Sequence, residues 1–327
     1  MPKKYYRKKH GRGFRYEDEK GHTVKDEKLK QWFRSLVIPP AWTDVEISAK
    51  KSADLLVTGR DQKGRKQYIY HPDFVEKQNQ QKFQRLIAFG EKLHQLREEV
   101  AGHLRKRGNS KEKVLAAMVR LMDEAYLRPG NVRYTEENNS YGLTTLRSKH
   151  VQISGNEITF TYKGKSGQEQ EHHIRDRLLA KIIRELDELP GYRIFKYVDK
   201  EGKRHEINSD DLNDYIRETM GEEFSCKDFR TWAGTLLAAE ALDQLDLPKE
   251  RDDKSIVKNI KSVVDHVAES LGNTPAIARK SYIDPLILKN YENNTTLSLY
   301  CDKAASLLES HSNLSREEIY LLCMLKS

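Results

Sequence analysis

Hydrophobic and polar positions alternate through LLVTGRDQKGRKQYIYHP (residues 55–72) on both sides of a glycine-containing turn, which predicts a β-hairpin. After Pro72 the pattern changes. Residues 73–107 are rich in Gln, Lys, Glu and Leu and poor in strand formers, and read as one or two helices. Asn109 followed by Glu112 resembles a helix N-cap, with Leu115, Met118, Met122 and Ala125 on one face and an expected end at Pro129-Gly130. HVQISGNEITFTYKGKSGQEQEHHI (150–174) reads as strands separated by Gly155-Asn156 and by Gly164-Lys165-Ser166-Gly167, which puts Lys165 at a hairpin tip. From Arg175 onward the pattern is mainly helical. Thr274-Pro275 is a cap followed by a first-turn proline, leading a short helix into Tyr282, and Ser315 with Glu318 starts a last helix.

These elements predict an α+β protein with a β-rich N-terminal domain over residues 1–80, a larger and mainly helical domain with a short β-sheet over 81–295, and a helical extension over 296–327. With 327 residues the chain exceeds what one core usually spans. No internal repeat or low-complexity tract interrupts it.

Charge then narrows the partners. The net charge of +8 and a pI near 9.1 favour a polyanion. Residues 1–16 hold seven Lys or Arg and no acid, interleaved with Tyr5, Tyr6 and Phe14; this suits a flexible basic arm on phosphates, or equally a solubilising tail. No apolar run is long enough to span a bilayer, and no apolar stretch follows the basic N-terminus as in a secretory signal. Three scattered cysteines exclude a disulfide framework, and no CxxC pair suggests zinc. The adjacent pairs His172-His173, Asp210-Asp211, Glu222-Glu223 and Asp252-Asp253 are expected to be structural or solvated, since neighbouring side chains rarely chelate one ion. A cytoplasmic, nucleoid-associated protein is the expectation.

Opening a nucleic-acid strand without a metal requires a nucleophile, cations for the non-bridging oxygens and a proton donor for the departing oxygen. Tyrosine, arginine and a hairpin lysine suit these roles: a tyrosyl ester conserves the phosphodiester energy, an arginine fork donates two hydrogen bonds to phosphate, and an ammonium protonates an alkoxide. Taken singly, each residue has an ordinary explanation. Tyr282 is one of 16 tyrosines, Arg128 and Arg230 are consistent with helix-end or surface charges, Lys165 with a solvated turn, and Asn273 with turn chemistry in Gly-Asn-Thr-Pro.

Taken together and in order, YLRPGN (126–131), YGLTTLRSKH (141–150), FTYKGKSG (160–167), KDFRTWAGT (227–235) and GNTPAIARKSYIDP (272–285) resemble the type IB DNA topoisomerases of the bacterial, poxvirus-like group. IPPAW (38–42) and GRDQKGRKQYIYHP (59–72) resemble the family's small β domain, so the resemblance covers about residues 12–290. It implies a clamp around duplex DNA and relaxation of supercoils by transient single-strand cleavage through a 3′-phosphotyrosyl intermediate, with no cofactor, neither ATP nor metal, by a monomer. The implied catalytic residues are Arg128, Lys165, Arg230, Asn273 and Tyr282. The implied DNA contacts are Gln67, Tyr68, Tyr70, Tyr134 and Lys227. Two positions depart from the pattern: Asn273 stands where poxvirus and nuclear members have His, and Pro129 follows Arg128 where a small or apolar residue is usual. A tyrosine recombinase is the nearest rival; Lys227 argues against it, because recombinases usually carry His there. The other alternative is a non-catalytic DNA-binding protein of the same fold.

Overall fold

The computed structural model describes residues 3–245, 253–304, 307–308 and 311–327. The chain divides into two compact units, Met1–Lys82 and Phe83–Ser327.

The first unit is a five-stranded antiparallel sheet of β1 (Lys4–His10), β2 (Gly13–Asp18), β3 (Thr43–Ser48), β4 (Leu55–Arg60) and β5 (Lys66–Tyr70), in the order β2-β1-β3-β4-β5. Helix α1 (Glu27–Ser35) covers it, Phe33 packing against the rings of Tyr5, Tyr16 and Trp32. The expected hairpin is β4–β5, its turn tied by the Asp61 carboxylate, which accepts from the Lys63 and Arg65 amides, Arg65 Nε and Gln67 Nε2. The expected flexible arm is not an arm: residues 4–18 form β1 and β2, and β1 also pairs with β3. Arg7 supplies the reason. Its buried guanidinium donates to the carbonyls of Ile38, Pro39 and Trp42, each at 2.9 Å, and lies 4.1 Å from the Phe14 ring centroid. One of the basic residues counted toward polyanion binding thus organises the IPPAW segment from inside.

The second unit is built on helices. The single helix α2 (Pro72–Leu104) contains the division between the units and buries Leu86, Phe89, Leu93, Leu96, Val100 and Leu104. Helix α3 (Lys111–Ala125) is capped by Ser110, whose side chain accepts from the Lys113 amide, one residue later than expected. It also stops four residues short of Pro129, because Tyr126 turns left-handed (φ 58°) and closes the helix by donating its amide to the Met122 carbonyl. Helix α4 (Val132–Asn138) precedes a three-stranded antiparallel sheet, β6 (Val151–Ser154), β7 (Glu157–Lys163) and β8 (Glu169–Arg175), as the glycine spacing predicted. Helix α5 (Arg177–Asp187) follows, then a hairpin of β9 (Lys196–Val198) and β10 (Arg204–Glu206) that the helical pattern concealed. Helices α6 (Ser209–Met220), α7 (Cys226–Asp243), α8 (Asp253–Ser270), α9 (Pro275–Ser281) and α10 (Pro285–Glu292) complete the sequence up to the C-terminal segment. Thr274 caps α9 with Pro275 in its first turn, and Ser315 with Glu318 forms a capping box on the last helix, Arg316–Leu325, as the sequence indicated.

That last helix is packed into the core of the second unit, with Glu318 only 3% exposed. Glu318 and Asp123 both grip Arg97: Asp123 accepts at 2.7 and 3.0 Å, Glu318 at 2.7 and 2.8 Å. Glu318 also accepts from the indole of Trp232 on α7 at 3.1 Å. Burial works against the Glu318 charge, but Arg97 and the capping amide outweigh it and hold its carboxyl below the ordinary value of 4.5. A carboxyl depressed in the folded state adds stability above its unfolded pKa and loses it as pH falls through the folded value. Replacing Glu318 by Gln, which leaves Arg97 half-compensated, is expected to cost roughly 3–5 kcal/mol at neutral pH and to abolish the part of the acid destabilisation below pH 4.5 that Glu318 carries. Urea unfolding as a function of pH measures both.

Candidate active site

Arg128 lies on the irregular segment after α3, and its backbone is fixed by the YGLTT stretch. Its carbonyl accepts from the Leu143 amide at 2.9 Å, and the Pro129 carbonyl from the Thr144 amide at 2.8 Å. Gly130 and Gly142 cross here backbone to backbone: a β-carbon on Gly142 would sit 2.6 Å from Gly130 Cα and 2.8 Å from the Arg128 carbonyl oxygen. The glycines of PGN and YGL are therefore what allows the approach.

The side chain of Arg128 reaches the C-terminus of α8. That helix ends in a Schellman arrangement: Gly272, left-handed at φ 58°, donates to the Glu269 carbonyl, and Asn273 to that of Ala268. The next carbonyls are left for side chains. Arg128 Nη2 donates to Leu271 O (3.2 Å), Gly272 O (2.9 Å) and Asn273 Oδ1 (2.9 Å), while Asn273 Nδ2 donates to Leu271 O at 3.2 Å. Arg230, one helical turn beyond Lys227 on α7, sends Nη2 to the same Leu271 carbonyl at 2.6 Å and Nη1 to Tyr126 O at 2.8 Å. The Leu271 oxygen is thus shared by both guanidiniums. Its position at a helix C-terminus gives it the partial negative charge that makes it attractive to cations.

Tyr282 ends α9, the helix that Thr274-Pro275 begins. Arg230 Cζ lies 5.0 Å from the centre of its ring. Two contacts with α7 hold its backbone: Thr235 Oγ1 donates to the Tyr282 carbonyl at 3.1 Å and accepts from the Asp284 amide at 3.1 Å. Gly234 leaves room for this, since a β-carbon there would lie 2.7 Å from the Tyr282 carbonyl oxygen and 2.9 Å from its Cβ.

Neither guanidinium forms an ion pair with a carboxylate among the described residues. Burial, reinforced by Arg230 beside it, lowers the pKa of Arg128 to about 10, still charged at neutral pH. Arg230 is 5% exposed, and its buried Nε has no hydrogen-bond partner among the described residues. Two adjacent cations, an unpaired guanidinium donor and a phenol thus lie together, groups whose chemistry suits binding a tetrahedral oxyanion.

The structure therefore brings Arg128, Arg230, Asn273 and Tyr282 together. Lys165 stands exposed on the turn between β7 and β8. The inner face of that hairpin holds Tyr162 and His172, to which the sequence assigned no site role. Tyr162 is buried and its hydroxyl meets His172 Nε2 at 3.3 Å; burial raises the phenol to about 12 and lowers the imidazole to about 4, both sensing Arg128 and Arg230. His172 also hydrogen-bonds the Ala125 backbone. The available signal was strand alternation, which puts Tyr162 on the face opposite Thr161 and Lys163. His173 turns the other way, to Thr159 and Glu171. Asp211 accepts from the Asn208 amide at the start of α6. Among the described residues no three His, Cys, Asp or Glu side chains gather as a metal-ligand set, and no helix is long and apolar enough to cross a membrane. Asp252 lies outside the described residues.

Of the expected DNA-contact residues, Gln67, Tyr68 and Tyr70 lie on β5 in the first unit. Tyr68 and Tyr70 are exposed and stacked at 6.0 Å, and Gln67 Nε2 is engaged by Asp61. Tyr134 on α4 and Lys227 on α7 are exposed in the second unit.

A family profile described as "Eukaryotic DNA topoisomerase I, catalytic core" matches residues 65–303, and one described as "Bacterial DNA topoisomerase IB, N-terminal domain" matches residues 13–61. The chain is similar to a DNA topoisomerase 1B of Acanthamoeba polyphaga mimivirus, 36% identical over an alignment of 300 residues covering 88% of each chain. It is also similar to the DNA topoisomerase 1B of Vaccinia virus (strain Copenhagen), 23% identical over 86% of this chain and 88% of the relative. The DNA topoisomerase I of Monkeypox virus is 22% identical over the same shares.

The close approach of α7 to Tyr282 carries a direct expectation. Gly234→Ala should destabilise the protein by roughly 1–3 kcal/mol, because backbone on both sides must move. Gly102→Ala on α2, where a β-carbon meets nothing within 4 Å, should instead be neutral or stabilising by up to about 1 kcal/mol. Denaturant midpoints of the two variants test the contrast.

Proposed function

The chain belongs to the type IB DNA topoisomerases, isomerases that act on DNA, and from that premise we propose that it relaxes supercoils through a covalent adduct on Tyr282. The observation that carries the reading is the carboxylate-free pair Arg128 and Arg230 beside the Tyr282 ring, with Arg230 Nε unpaired.

A phosphodiester in this receptor places its non-bridging oxygens among the free donors of the two guanidiniums, where charge builds up as the phosphorus becomes five-coordinate. The Tyr282 hydroxyl gives its proton to water and its oxygen bonds to phosphorus, the bond to the 5′ oxygen breaks, and Lys165 protonates that oxygen. A 3′-phosphotyrosyl strand and a free 5′-hydroxyl strand result. The free strand turns about the intact one until the 5′-hydroxyl attacks the adduct in the reverse reaction. The tyrosyl ester conserves the energy of the broken bond, so ATP has no step to drive. In this reading no step is assigned to a metal ion or other cofactor.

Asn273 has two parts. Its Oδ1 orients Arg128, and its Nδ2, in a 3.2 Å contact with Leu271 O, exchanges that carbonyl for a phosphate oxygen when DNA is bound. An amide has no charge to contribute, so its role is binding and orientation and not acid catalysis. Duplex DNA is the partner. Tyr68, Tyr70, Tyr134 and Lys227 are the exposed groups offered to it, with Gln67 able to bond base edges once released from Asp61.

Wild-type protein mixed with supercoiled plasmid in EDTA is expected to relax it, and SDS added during the reaction to trap DNA on Tyr282 through a 3′ end. Tyr282→Phe is expected to keep its affinity for duplex DNA while giving neither adduct nor relaxation. Relaxation by that variant would overturn the assignment. A mobility shift by wild-type protein with no relaxation would make the chain a binder only.

A further inference from the structure

The mechanism leaves Gln170 without a role, yet its side chain lies between two parts of the site. Gln170 pairs with Tyr162 across the β7–β8 ladder and therefore shares the inner face of the hairpin with Tyr162 and His172. At one end it touches the Lys165 turn: a β-carbon on Gly164 would come within 2.6 Å of Gln170 Cγ. At the other it touches the arginine-binding corner: a β-carbon on Gly272 would come within 2.5 Å of Gln170 Oε1 and 3.1 Å of Nε2. Gly272 is the residue whose carbonyl accepts from Arg128 and whose neighbour is Asn273.

The two glycines carry different information. Gly272 has φ 58° and is required by the helix ending whatever surrounds it. Gly164 has φ −90°, a conformation that does not call for glycine, so the crowding there is set by Gln170. The side chain is itself held, with Nε2 donating to the Glu169 carbonyl at 3.0 Å, and the turn is closed by the Gly164 amide donating to Gln168 O at 2.7 Å. An uncharged side chain thus spans from the backbone beside Lys165 to the backbone beside Asn273.

We infer that Gln170 is a positioning residue, a spacer that fixes the Lys165 turn against the Gly272–Asn273 corner and so sets the reach of the Lys165 ammonium to the departing 5′ oxygen. The inference rests on Lys165 being the proton donor. With the spacer removed, the turn keeps its ladder hydrogen bonds but loses its stop against the corner, and the ammonium ranges over a wider arc.

The test compares single-turnover cleavage of two duplexes, one with the ordinary 5′ bridging oxygen and one with sulfur in its place. A thiolate is a far better leaving group than an alkoxide, with a conjugate acid pKa of about 8.5, and departs without a proton donor. Lys165→Ala should be slowed by about 10²-fold or more on oxygen and recover on sulfur. Gln170→Ala should be slowed on oxygen by roughly ten- to a hundredfold, the range of a misplacement of about 1 Å, and match wild type on sulfur. The sulfur rate also certifies that the variant is folded. Gln170→Met, of similar length, should keep most of the oxygen rate. Gly164→Ala should slow the wild-type protein but not the Gln170→Ala variant, where the collision is gone. Unchanged cleavage of oxygen by Gln170→Ala, or equal slowing on both duplexes while Lys165→Ala is rescued, overturns the inference alone. A Lys165→Ala defect that persists on sulfur overturns the proton-donor reading, and the spacer role with it.

Discussion

Two guanidiniums side by side, one buried and one half-buried, held by carbonyl oxygens and by no carboxylate among the described residues, are the constraint around which this site is arranged. Taking a cation out of water costs several kcal/mol, and a second one adjacent raises the cost. A helix C-terminus offers about half a negative charge and returns up to about 2 kcal/mol. The shared Leu271 carbonyl and the Gly272 carbonyl at the end of α8 supply that field to Arg128 and Arg230. The compensation is incomplete, as the lowered pKa of Arg128 records. A carboxylate would have completed it, and would also have competed with an incoming phosphate.

Four residues translate that constraint into the position of Tyr282. In Gly272-Asn273-Thr274-Pro275 the first residue ends α8, the second orients Arg128, the third caps α9 and the fourth starts it. The arginines are bound at one end of this link and the phenol is delivered from the other after a helix of only seven residues. Gly234 and Thr235 of α7 then fix Tyr282 from the side that also carries Arg230, so the phenol and one guanidinium share a single rigid support.

Much of what depended on neighbours in sequence was readable from sequence, although the short β1–β2 and β9–β10 hairpins were not. The alternation and glycines of residues 55–72 and 150–174 gave the hairpins, and Thr274-Pro275 and Ser315 with Glu318 gave helix starts, because turns and caps are decided within a few residues. Features set by distant partners were not readable. Arg7 looks like a surface cation until the carbonyls of residues 38–42 surround it, and the end of α3 depends on a left-handed Tyr126 whose carbonyl then serves Arg230. The motif order pointed to the residues that converge at Leu271. It gave no site role to Gln170, which lies in no motif, to Tyr162, which lies inside FTYKGKSG, or to His172; their nearness to the arginines arises only when the hairpin packs beside α8.

The grip of Glu318 on Arg97 has a consequence for how the protein is made. Translation delivers Arg97 and Asp123 long before Glu318, which lies in the last helix described. Until that helix emerges from the ribosome, Arg97 has one of its two carboxylates, and the Trp232 indole on the helix of Arg230 lacks its acceptor. The second unit therefore gains this part of its core only once residues 315–325 have been made.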